Sequence, residues 1–342
     1  MQPKTTQDVE NLLRMCYASA AIATALELGL FWQLAKKPLK VKEISQNFNI
    51  PYNRCQYWLL LLTELGLLKQ EGGRYIPSSI TNNAILEAYS PETWSFIAQE
   101  TRETYPVINN LPLTISHPKS VWEAQGLNLP NYIIKMKENP KRAERFTRML
   151  YELHKPLADK LAEILDITNV SRLMDLGGGS GVVSLAFLKR YANLNAVVVD
   201  IENICRVGRE IANETPMATR ISYHAANFMQ DDLPSGFDLI LECDIGIYQK
   251  ELFRKLWSSL NEGGRLVIIS NTNEQGAWIT HTESNPSLFW FLNAFLSSLE
   301  VPNFKFSSID EVKSLLIQVG FQKVQTQIHE DGIVFIQATK LL

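Results

Sequence analysis

The stretch with the clearest chemical capacity is a run of glycines between two acidic residues. It reads Asp175-Leu176-Gly177-Gly178-Gly179-Ser180-Gly181, and Asp200 follows about 20 residues later. Glycine has no Cβ, so a cofactor can approach the backbone closely, and the turn can adopt φ values that other residues resist. A carboxylate at Asp200 is placed to hydrogen-bond a ribose diol. The spacing therefore predicts a nucleotide-type cofactor site.

The elements around these glycines must be strand, turn, helix and strand. Leu173 and Met174 lead an apolar run into the glycines, residues 182–191 carry the dense apolar face of a short helix, and residues 196–200 form a second apolar run. This order predicts one βαβ unit with the glycine turn at its first strand end. Taken alone, a Gly-x-Gly-x-Gly run also fits an ordinary tight turn.

The type of cofactor follows from the spacing and from the charge of Asp175. Dinucleotide sites have the form Gly-x-Gly-x-x-Gly, whereas here the third glycine, Gly181, comes one residue early. The carboxylate of Asp175 would repel a pyrophosphate but suits the cationic amino-acid end of S-adenosylmethionine. The motif is thus typical of the first motif of a class I methyltransferase.

Composition limits the other possibilities. The chain has 342 residues, of which 46% are hydrophobic and 20% charged, so two domains with their own cores are expected. A net charge of −3 and a pI near 6.0 do not predict nucleic acid or an anionic membrane as a partner.

The four cysteines are Cys16, Cys55, Cys205 and Cys243, and their spacing indicates neither a zinc site nor a disulfide framework. The apolar runs are all shorter than the roughly 18 residues of a membrane span, and no signal peptide is recognisable. We therefore expect no metal, no membrane association and a cytoplasmic location.

The N-terminal part predicts three helices and a hairpin. The helical patterns cover residues 8–35, 41–45 and 52–65, and the hairpin covers 67–76 with a glycine turn. This order describes a winged helix, which either binds DNA or serves dimerisation. Residues 52–65 would be the recognition helix and contain one basic residue, Arg54, so we favour dimerisation.

The middle segment, residues 85–165, is aromatic and mainly helical in pattern. Asn139 and Pro140 are expected to begin a helix that carries Phe146, Met149 and His154. Such a helix can wall a pocket for a flat or apolar substrate. From residue 171 onward, strands and helices alternate, which predicts a doubly wound α/β sheet. The predicted elements are strands at 221–225, 237–242 and 265–270, helices at 252–260 and 310–319, and a terminal hairpin at 324–338.

From about residue 12 to its end, the chain resembles the class I S-adenosylmethionine-dependent O-methyltransferases of specialised metabolism. This family includes plant caffeate enzymes, bacterial polyketide enzymes and hydroxyindole O-methyltransferase. The resemblance lies in these segments: residues 25–31, 65–68, 122–126, 146–149, 175–181, 263–266 and 319–321. It implies a homodimer with a winged-helix dimerisation domain (1–84), a helical linker (85–165) and a Rossmann-like methyltransferase domain (166–342).

The resemblance also implies a set of site residues. The expected cofactor-binding residues are Asp175, Gly177, Gly178, Gly179, Gly181, Asp200, Ile201, Asn227, Phe228, Glu242 and Cys243, and the expected pocket residues are Phe146, Met149 and Trp278. Asp175 and the glycines would line the methionine end of the cofactor, and Asp200 would bind the ribose. Asn227 replaces the family's aspartate beside adenine, and its amide oxygen can still accept a hydrogen bond from the adenine amino group.

One departure from the family affects the chemistry. After the fourth strand the family has a His-Asp pair whose imidazole takes the proton of the substrate hydroxyl, but this chain has no histidine in residues 242–250. The candidate replacement bases are Tyr248, Asp244, His154 and His281. A base is needed only for a nucleophile that must lose a proton, so O-methylation with another base, C-methylation and N-methylation stay open.

We therefore expect a methyltransferase that uses S-adenosylmethionine and acts on a small, largely apolar or aromatic metabolite. Two alternatives stay open. One is an enzyme that uses the same cofactor pocket for chemistry other than methyl transfer. The other is a winged-helix DNA-binding regulator that senses the cofactor, although the acidic pI and the apolar helix 52–65 argue against it.

Overall fold

The chain forms two compact units, Met1–Asn109 and Asn110–Leu342. The structure is a computed structural model that describes residues 2–129, 131–271, 279–280, 288–329 and 332–341. Two predicted site residues, Trp278 and His281, lie outside these described residues. The proposed three-part division at residues 84 and 165 stays a prediction.

The first unit is a group of helices around one hairpin. Its elements are α1 (Thr6–Glu27), α2 (Leu30–Lys36), α3 (Val41–Asn47), α4 (Tyr52–Glu64), β1 (Leu68–Glu71), β2 (Arg74–Pro77), α5 (Ser79–Thr81), a π-helical turn (Asn82–Leu86), α6 (Pro91–Glu103) and α7 (Tyr105–Asn109). β1 and β2 pair antiparallel, from Leu68 with Pro77 to Glu71 with Arg74. Helices followed by a hairpin are the order that a winged helix requires, and its dimerisation role stays a prediction.

The helical pattern at residues 8–35 is divided into two helices at Leu28 and Gly29. Gly29 has a φ of 70°, a left-handed conformation that ends α1 and begins α2. Ala25 before this break and Leu30 and Phe31 after it are fully buried. The break turns both helices toward the same core.

The second unit carries a large sheet with helices on both faces. Its elements up to the third strand of the sheet are α8 (Leu111–Thr114), α9 (Val121–Ala124), α10 (Tyr132–Glu138), α11 (Pro140–Ile164), β3 (Arg172–Leu176), α12 (Val182–Arg190), β4 (Asn195–Asp200), α13 (Glu202–Asn213), a 3₁₀ turn (Ala218–Arg220) and β5 (Ile221–Ala225). The remaining elements are β6 (Phe237–Cys243), α14 (Lys250–Ser259), β7 (Leu260–Asn271), β8 (Ile279–Thr280), α15 (Leu288–Glu300), β9 (Ser307–Ser308), α16 (Ile309–Val319), β10 (Gln322–Ile328) and β11 (Ile333–Thr339).

The main sheet has seven strands in the order β10-β11-β7-β6-β3-β4-β5. The pairs β7-β6, β6-β3, β3-β4 and β4-β5 are parallel, whereas β11 runs antiparallel to β7 and to β10. The strand order reverses at β3, so its neighbours β4 and β6 leave a crevice at its carboxyl end, where open α/β sheets bind ligands. The predicted doubly wound α/β fold is confirmed.

The two faces of this sheet are covered by separate apolar layers. One layer contains Leu173, Val198 and Leu241 with residues of α11, α12 and α13. The other contains Leu176, Ile240 and Ile268 with residues of α14 and α16. Because both faces are buried, the central strands read as continuous apolar runs, which is why the sequence pattern located them well.

None of the helices that the structure describes is by itself long and apolar enough to cross a membrane. The bent pair α1 and α2, whose axes meet at 56°, passes that test by length and composition only. All four cysteines are free thiols.

Candidate cofactor and acceptor site

The predicted glycine turn connects β3 to α12. Gly177, Gly179 and Gly181 have φ values of 61°, 57° and 78°, so each requires the left-handed conformation. The Gly177 amide donates to the carbonyl of Val199 over 2.8 Å, which joins the turn to β4. No atom of the residues that the structure describes lies within 4 Å of the position that a Cβ would take at Gly179. The turn therefore presents bare backbone to open space at the carboxyl end of the sheet.

Asp175 lies directly beneath this turn. Its side chain is fully buried, and Oδ2 accepts a hydrogen bond of 2.7 Å from the Ser184 hydroxyl. A Cβ at Gly178 would overlap the carboxyl group of Asp175, so Gly178 is needed for space rather than for its φ value. Oδ1 has no partner among the described residues, and burial raises the pKa of Asp175 to about 6.

Asp200 closes the turn from the neighbouring strand. Its Oδ2 accepts from the Gly179 amide over 3.1 Å, and its Oδ1 accepts from the Ile201 amide over 2.7 Å. Burial raises the pKa of Asp200 to about 6, so the carboxylate is largely ionised at neutral pH. A carboxylate offers about four lone pairs, so both oxygens can still accept hydroxyl groups.

Phe228 and Ile245 line the first glycine of the turn. A Cβ built at Gly177 would lie 2.9 Å from Ile245 Cδ1 and 3.7 Å from Phe228 Cε1. Asn227 precedes Phe228, and its Oδ1 accepts from the Met229 amide over 3.2 Å. The structure thus brings Phe228 of the predicted adenine pair close to the turn, together with Ile245.

The segment after β6, where the family's histidine would lie, is acidic and aromatic. Glu242 is 2% exposed, and its Oε1 accepts from the Ile245 amide over 2.8 Å. Glu242 Oε2 and the Tyr248 hydroxyl are both buried without a hydrogen-bond partner among the described residues. Burial raises the pKa of Glu242 to about 8. Burial, with a smaller effect of the Glu242 carboxylate, raises the pKa of Tyr248.

Asp244 and Cys243 complete this segment. Asp244 has a φ of 57°, and its Oδ1 accepts from the Ser270 hydroxyl over 3.1 Å, which ties the segment to β7. Cys243 is partly buried, and burial raises the pKa of its thiol, so it stays protonated at neutral pH. The Asp244 carboxylate, a candidate base, thus already accepts a hydrogen bond that holds this segment to β7.

The predicted pocket helix is α11, and its start is as expected. Asn139 is its N-cap, and its side chain accepts from the Arg142 amide over 3.0 Å. Met149 is 8% exposed, and Phe146 is half-buried with its ring 5.4 Å from that of Tyr132. The His154 side chain keeps an exposed surface, and desolvation by the surrounding protein lowers the pKa of its imidazole, so it is neutral at pH 7.

Tyr223 contacts the glycine turn, and the sequence motifs did not indicate it. Its hydroxyl donates to the Ser180 carbonyl over 2.8 Å, and its ring occupies the space beside Gly181 and Gly208 where Cβ atoms would lie. It therefore holds the glycine turn against α13 from the third parallel strand. Its strand was predicted, but the 43 residues between Tyr223 and Ser180 leave no local signal for this contact.

A polar hollow of about 370 Å³ lies at the amino ends of β3, β6 and β7, lined by Asp166, Asp238 and Arg265 among others. Asp238 accepts from Ser171, Arg172 and Asn261, so its carboxylate is already satisfied. This hollow is away from the carboxyl ends of the parallel strands and has no part in the site described above.

These residues fit S-adenosylmethionine. The turn presents backbone without side chains, the Asp200 carboxylate has lone pairs for a ribose diol, and Phe228 and Ile245 supply apolar contact for a purine ring. The site lies at the carboxyl ends of β3, β4 and β6, and it combines the glycine turn with the acidic residue at the end of β4. This is the fold and site of a class I S-adenosylmethionine-dependent methyltransferase.

Comparison with known proteins identifies the family. Residues 115–294 match the model of the O-methyltransferase domain, and the chain therefore belongs to that family of S-adenosylmethionine-dependent methyltransferases. The predicted family, enzyme class and cofactor are confirmed.

Three curated relatives and one solved structure illustrate the likeness. The 3-hydroxy-5-methyl-1-naphthoate 3-O-methyltransferase of Streptomyces sahachiroi is 28% identical over 225 residues, which cover 66% of this chain and 64% of that enzyme. The L-tyrosine C(3)-methyltransferase of Streptomyces lavendulae is 24% identical over 291 residues, which cover 80% of this chain and 78% of that enzyme. The solved structure of PigF with SAH has a TM-score of 0.84 at 19% identity, with 98% of this chain and 100% of that chain covered. A curated relative of the same name, the S-adenosyl-L-methionine-dependent methyl transferase PigF of Serratia sp., is 21% identical over 271 residues, which cover 77% of this chain and 77% of that enzyme.

Proposed function

We propose that this protein methylates a small, largely apolar or aromatic specialised metabolite at an oxygen or a carbon atom. The observation that carries the proposal is the glycine turn held by Asp200, in a chain whose relatives act on a hydroxynaphthoate and on tyrosine. Phe146 and Met149 on α11 supply the apolar character that such an acceptor needs.

The roles of the individual residues follow from their contacts. Bound S-adenosylmethionine would supply a methyl group already activated on its sulfonium. Asp200 would accept hydrogen bonds from the ribose hydroxyls, while the Gly179 backbone leaves room beside it. Phe228 and Ile245 would hold the purine, and the buried carboxyl of Asp175 would place negative charge beneath the methionine end.

The acceptor atom is the open chemical question, and the segment 242–248 bears on it. Tyr248 is a neutral phenol and Asp244 already accepts from Ser270, so neither is prepared as a strong base. We therefore favour an acceptor that reacts without general-base help, either a nucleophilic carbon or an oxygen that is ionised before it binds.

A mass-spectrometric screen tests the proposal. Purified protein and S-adenosylmethionine are incubated with a panel of hydroxylated aromatic acids and phenols, and products that gain one methyl group are sought. Asp200→Ala is the matched inactive control. If the wild type, but not Asp200→Ala, consumes the cofactor and no methylated product forms, the result would favour the alternative of non-methylating chemistry.

We infer that the protein is a homodimer through its first unit. The most exposed large apolar side chains there lie on α1 and on α4: Leu13 is 76% exposed, and Tyr17 and Tyr57 are each 71% exposed. Ala23, Ala25 and Leu26 on the later turns of α1 belong to the unit's own core. The indole of Trp58 packs against that core, and its Nε1 donates to the Ala21 carbonyl over 3.0 Å. Exposed apolar patches of this kind mark interaction surfaces.

Light scattering at micromolar concentration tests this assembly. The wild type should have twice the chain mass, and Leu13→Glu should have the monomer mass because it places a charge in the contact. A wild type that already has the monomer mass would remove the proposal. The cytoplasmic location also stays a proposal, which fractionation of the producing cells would check.

A further inference from the structure

Helix α10 lies on the first turn of α13, beside the end of β4. The Asn203 side chain donates from Nδ2 to the carbonyls of Met136 over 2.9 Å and of Lys137 over 3.1 Å. These carbonyls belong to the last turn of α10, where helices leave acceptors unpaired, so Asn203 caps α10 from outside. Asn203 is only three residues beyond Asp200.

An apolar cluster holds the same contact together. Met136, Ala143 and Ile204 are 3%, 0% and 1% exposed and pack with one another, and Ile201 and Phe146 pack against them. α10 is thereby held to α13 by a buried side chain and by two hydrogen bonds. A helix of seven residues is not stable by itself, so these contacts with α13 fix the position of α10 near the Asp200 carboxylate.

Tyr132 is the first residue of α10, and its side chain is near enough to Asp200 for that carboxylate to influence it. The ring lies 5.4 Å from that of Phe146, which also packs against Ile201. Desolvation and the nearby Asp200 carboxylate both raise the pKa of Tyr132, so its hydroxyl stays neutral and able to donate. Tyr132 is nevertheless 43% exposed, so the ring borders open space rather than the core.

We propose that Tyr132 binds the ribose diol of the cofactor together with Asp200, and that Asn203 is a positioning residue that holds α10 for this contact. Asp200 accepts from the ribose hydroxyls, which leaves the lone pairs of those hydroxyl oxygens for the Tyr132 O–H. The two side chains thus offer complementary acceptor and donor groups on either side of one diol. This inference rests on the ribose role proposed above for Asp200.

A purely structural role for α10 would have a different signature. Packing alone would make Asn203→Ala lower the melting temperature while the affinity for the cofactor stays unchanged. Ribose recognition instead requires that the affinity falls and that the loss depends on the ribose hydroxyls of the ligand.

Isothermal titration calorimetry with S-adenosylhomocysteine tests this directly, without any need for the methyl acceptor. Tyr132→Phe removes only the hydroxyl and should raise Kd about 2- to 10-fold, the effect of one hydrogen bond. Asn203→Ala should raise Kd by a similar factor. The double variant should bind no more weakly than the weaker single variant, because Asn203 acts through Tyr132.

The matched controls lie near the amino ends of β4 and β7 in the same sheet. Tyr191→Phe removes a hydroxyl that interacts with Leu165 and Ile167, and Asn261→Ala removes an amide that donates to Asp238. Both should bind S-adenosylhomocysteine as the wild type does. If Asn203→Ala does not fold, by circular dichroism, Tyr132→Phe alone decides the inference.

A ligand that lacks both ribose hydroxyls supplies the second arm. With 2′,3′-dideoxy-S-adenosylhomocysteine, wild type and Tyr132→Phe should bind equally weakly. The inference would be overturned if Tyr132→Phe bound S-adenosylhomocysteine with the Kd of the wild type. It would also be overturned if Tyr132→Phe raised the Kd for the dideoxy ligand by the same factor as for S-adenosylhomocysteine. The cofactor site itself is judged separately, by whether the wild type binds S-adenosylhomocysteine and Asp200→Ala does not.

Discussion

The Asp200 carboxylate and the Gly179 amide are joined by a hydrogen bond of 3.1 Å, which ties the end of β4 to the turn after β3. The same carboxylate accepts from Ile201 over 2.7 Å, at the start of α13. The buried Asp200 side chain therefore fixes both the glycine turn and the start of α13, and it still has lone pairs for a ligand. Its removal should affect binding more than folding.

Asp200→Ala should remove most of the thermal stabilisation that S-adenosylhomocysteine gives the wild type. A ligand that binds only the folded state raises the melting temperature in proportion to the logarithm of its concentration over Kd, so a weaker Kd shows as a smaller shift. Differential scanning fluorimetry over a ligand series measures this. Asp232→Ala removes an exposed carboxylate as the control and should keep the full shift. A full shift in Asp200→Ala would contradict the ribose role.

Gly178→Ala should destabilise the protein strongly, although its backbone conformation suits alanine. The added methyl group would overlap the carboxyl of Asp175, which is buried and cannot move into solvent. Overpacking of this kind costs about 1–3 kcal/mol. Gly263→Ala is the control. Gly263 has a φ of 76°, and no described residue lies within 4 Å of the added Cβ, so this variant should show only backbone strain.

Urea denaturation of both variants measures the free energy of unfolding. Asp175→Ala removes the group that the new methyl would strike, so the double variant Gly178→Ala with Asp175→Ala should lose less than the sum of the two single losses. Strictly additive losses would show that Gly178 and Asp175 do not compete for the same space.

Much of the fold could be predicted because its signals are local. The strand Ile221–Ala225 has the predicted bounds, and α11 begins at Pro140 after Asn139 as expected. Continuous apolar runs and glycine turns report on neighbours in sequence. The helix break at Gly29 was not anticipated, since a single glycine inside a helical pattern is often tolerated.

The side-chain environment of the site could not be predicted to the same degree. The placement of Asp200 against the Gly179 amide and of Tyr223 against Ser180 and Gly208 depends on strands and helices that meet only in the folded sheet. Burial, which raises the pKa of Glu242, has no counterpart in the sequence, where Glu242 is one acidic residue among several. The type of cofactor could be predicted from residue types, whereas the protonation state of a residue such as Glu242 could be assigned only from the packing around it.

Glu242 should make the protein less stable as the pH rises toward 8. Its pKa is about 8 when folded against an ordinary value of 4.5, so the folded state holds the proton more tightly than the unfolded chain. Stability contributed by the protonated form is complete below about pH 4.5 and is lost as the pH rises through 8. The free energy of unfolding should fall by up to about 1.4 kcal/mol per pH unit within this window.

Urea denaturation between pH 6.5 and 8 isolates this effect, because Asp175 and Asp200, with pKa values of about 6, are then mostly ionised. Glu242→Gln keeps an oxygen for the Ile245 amide but cannot titrate, so its free energy of unfolding should vary less with pH than that of the wild type. Glu262→Gln, at an exposed position, should follow the wild type. Parallel pH curves for Glu242→Gln and wild type would contradict the buried-acid assignment.

The last prediction separates positioning from base catalysis. With the acceptor found by the mass-spectrometric screen, we expect Tyr248→Phe, Asp244→Asn, His154→Ala and His281→Ala each to keep turnover within about tenfold of the wild type, since in-line positioning supplies much of the rate of methyl transfer. Loss of a true general base instead costs about 10²- to 10⁴-fold. Turnover is measured at saturating cofactor, and affinities for cofactor and acceptor are measured separately. One substitution that abolishes turnover while both affinities stay intact would show that the acceptor is a neutral hydroxyl and would identify the residue that takes its proton.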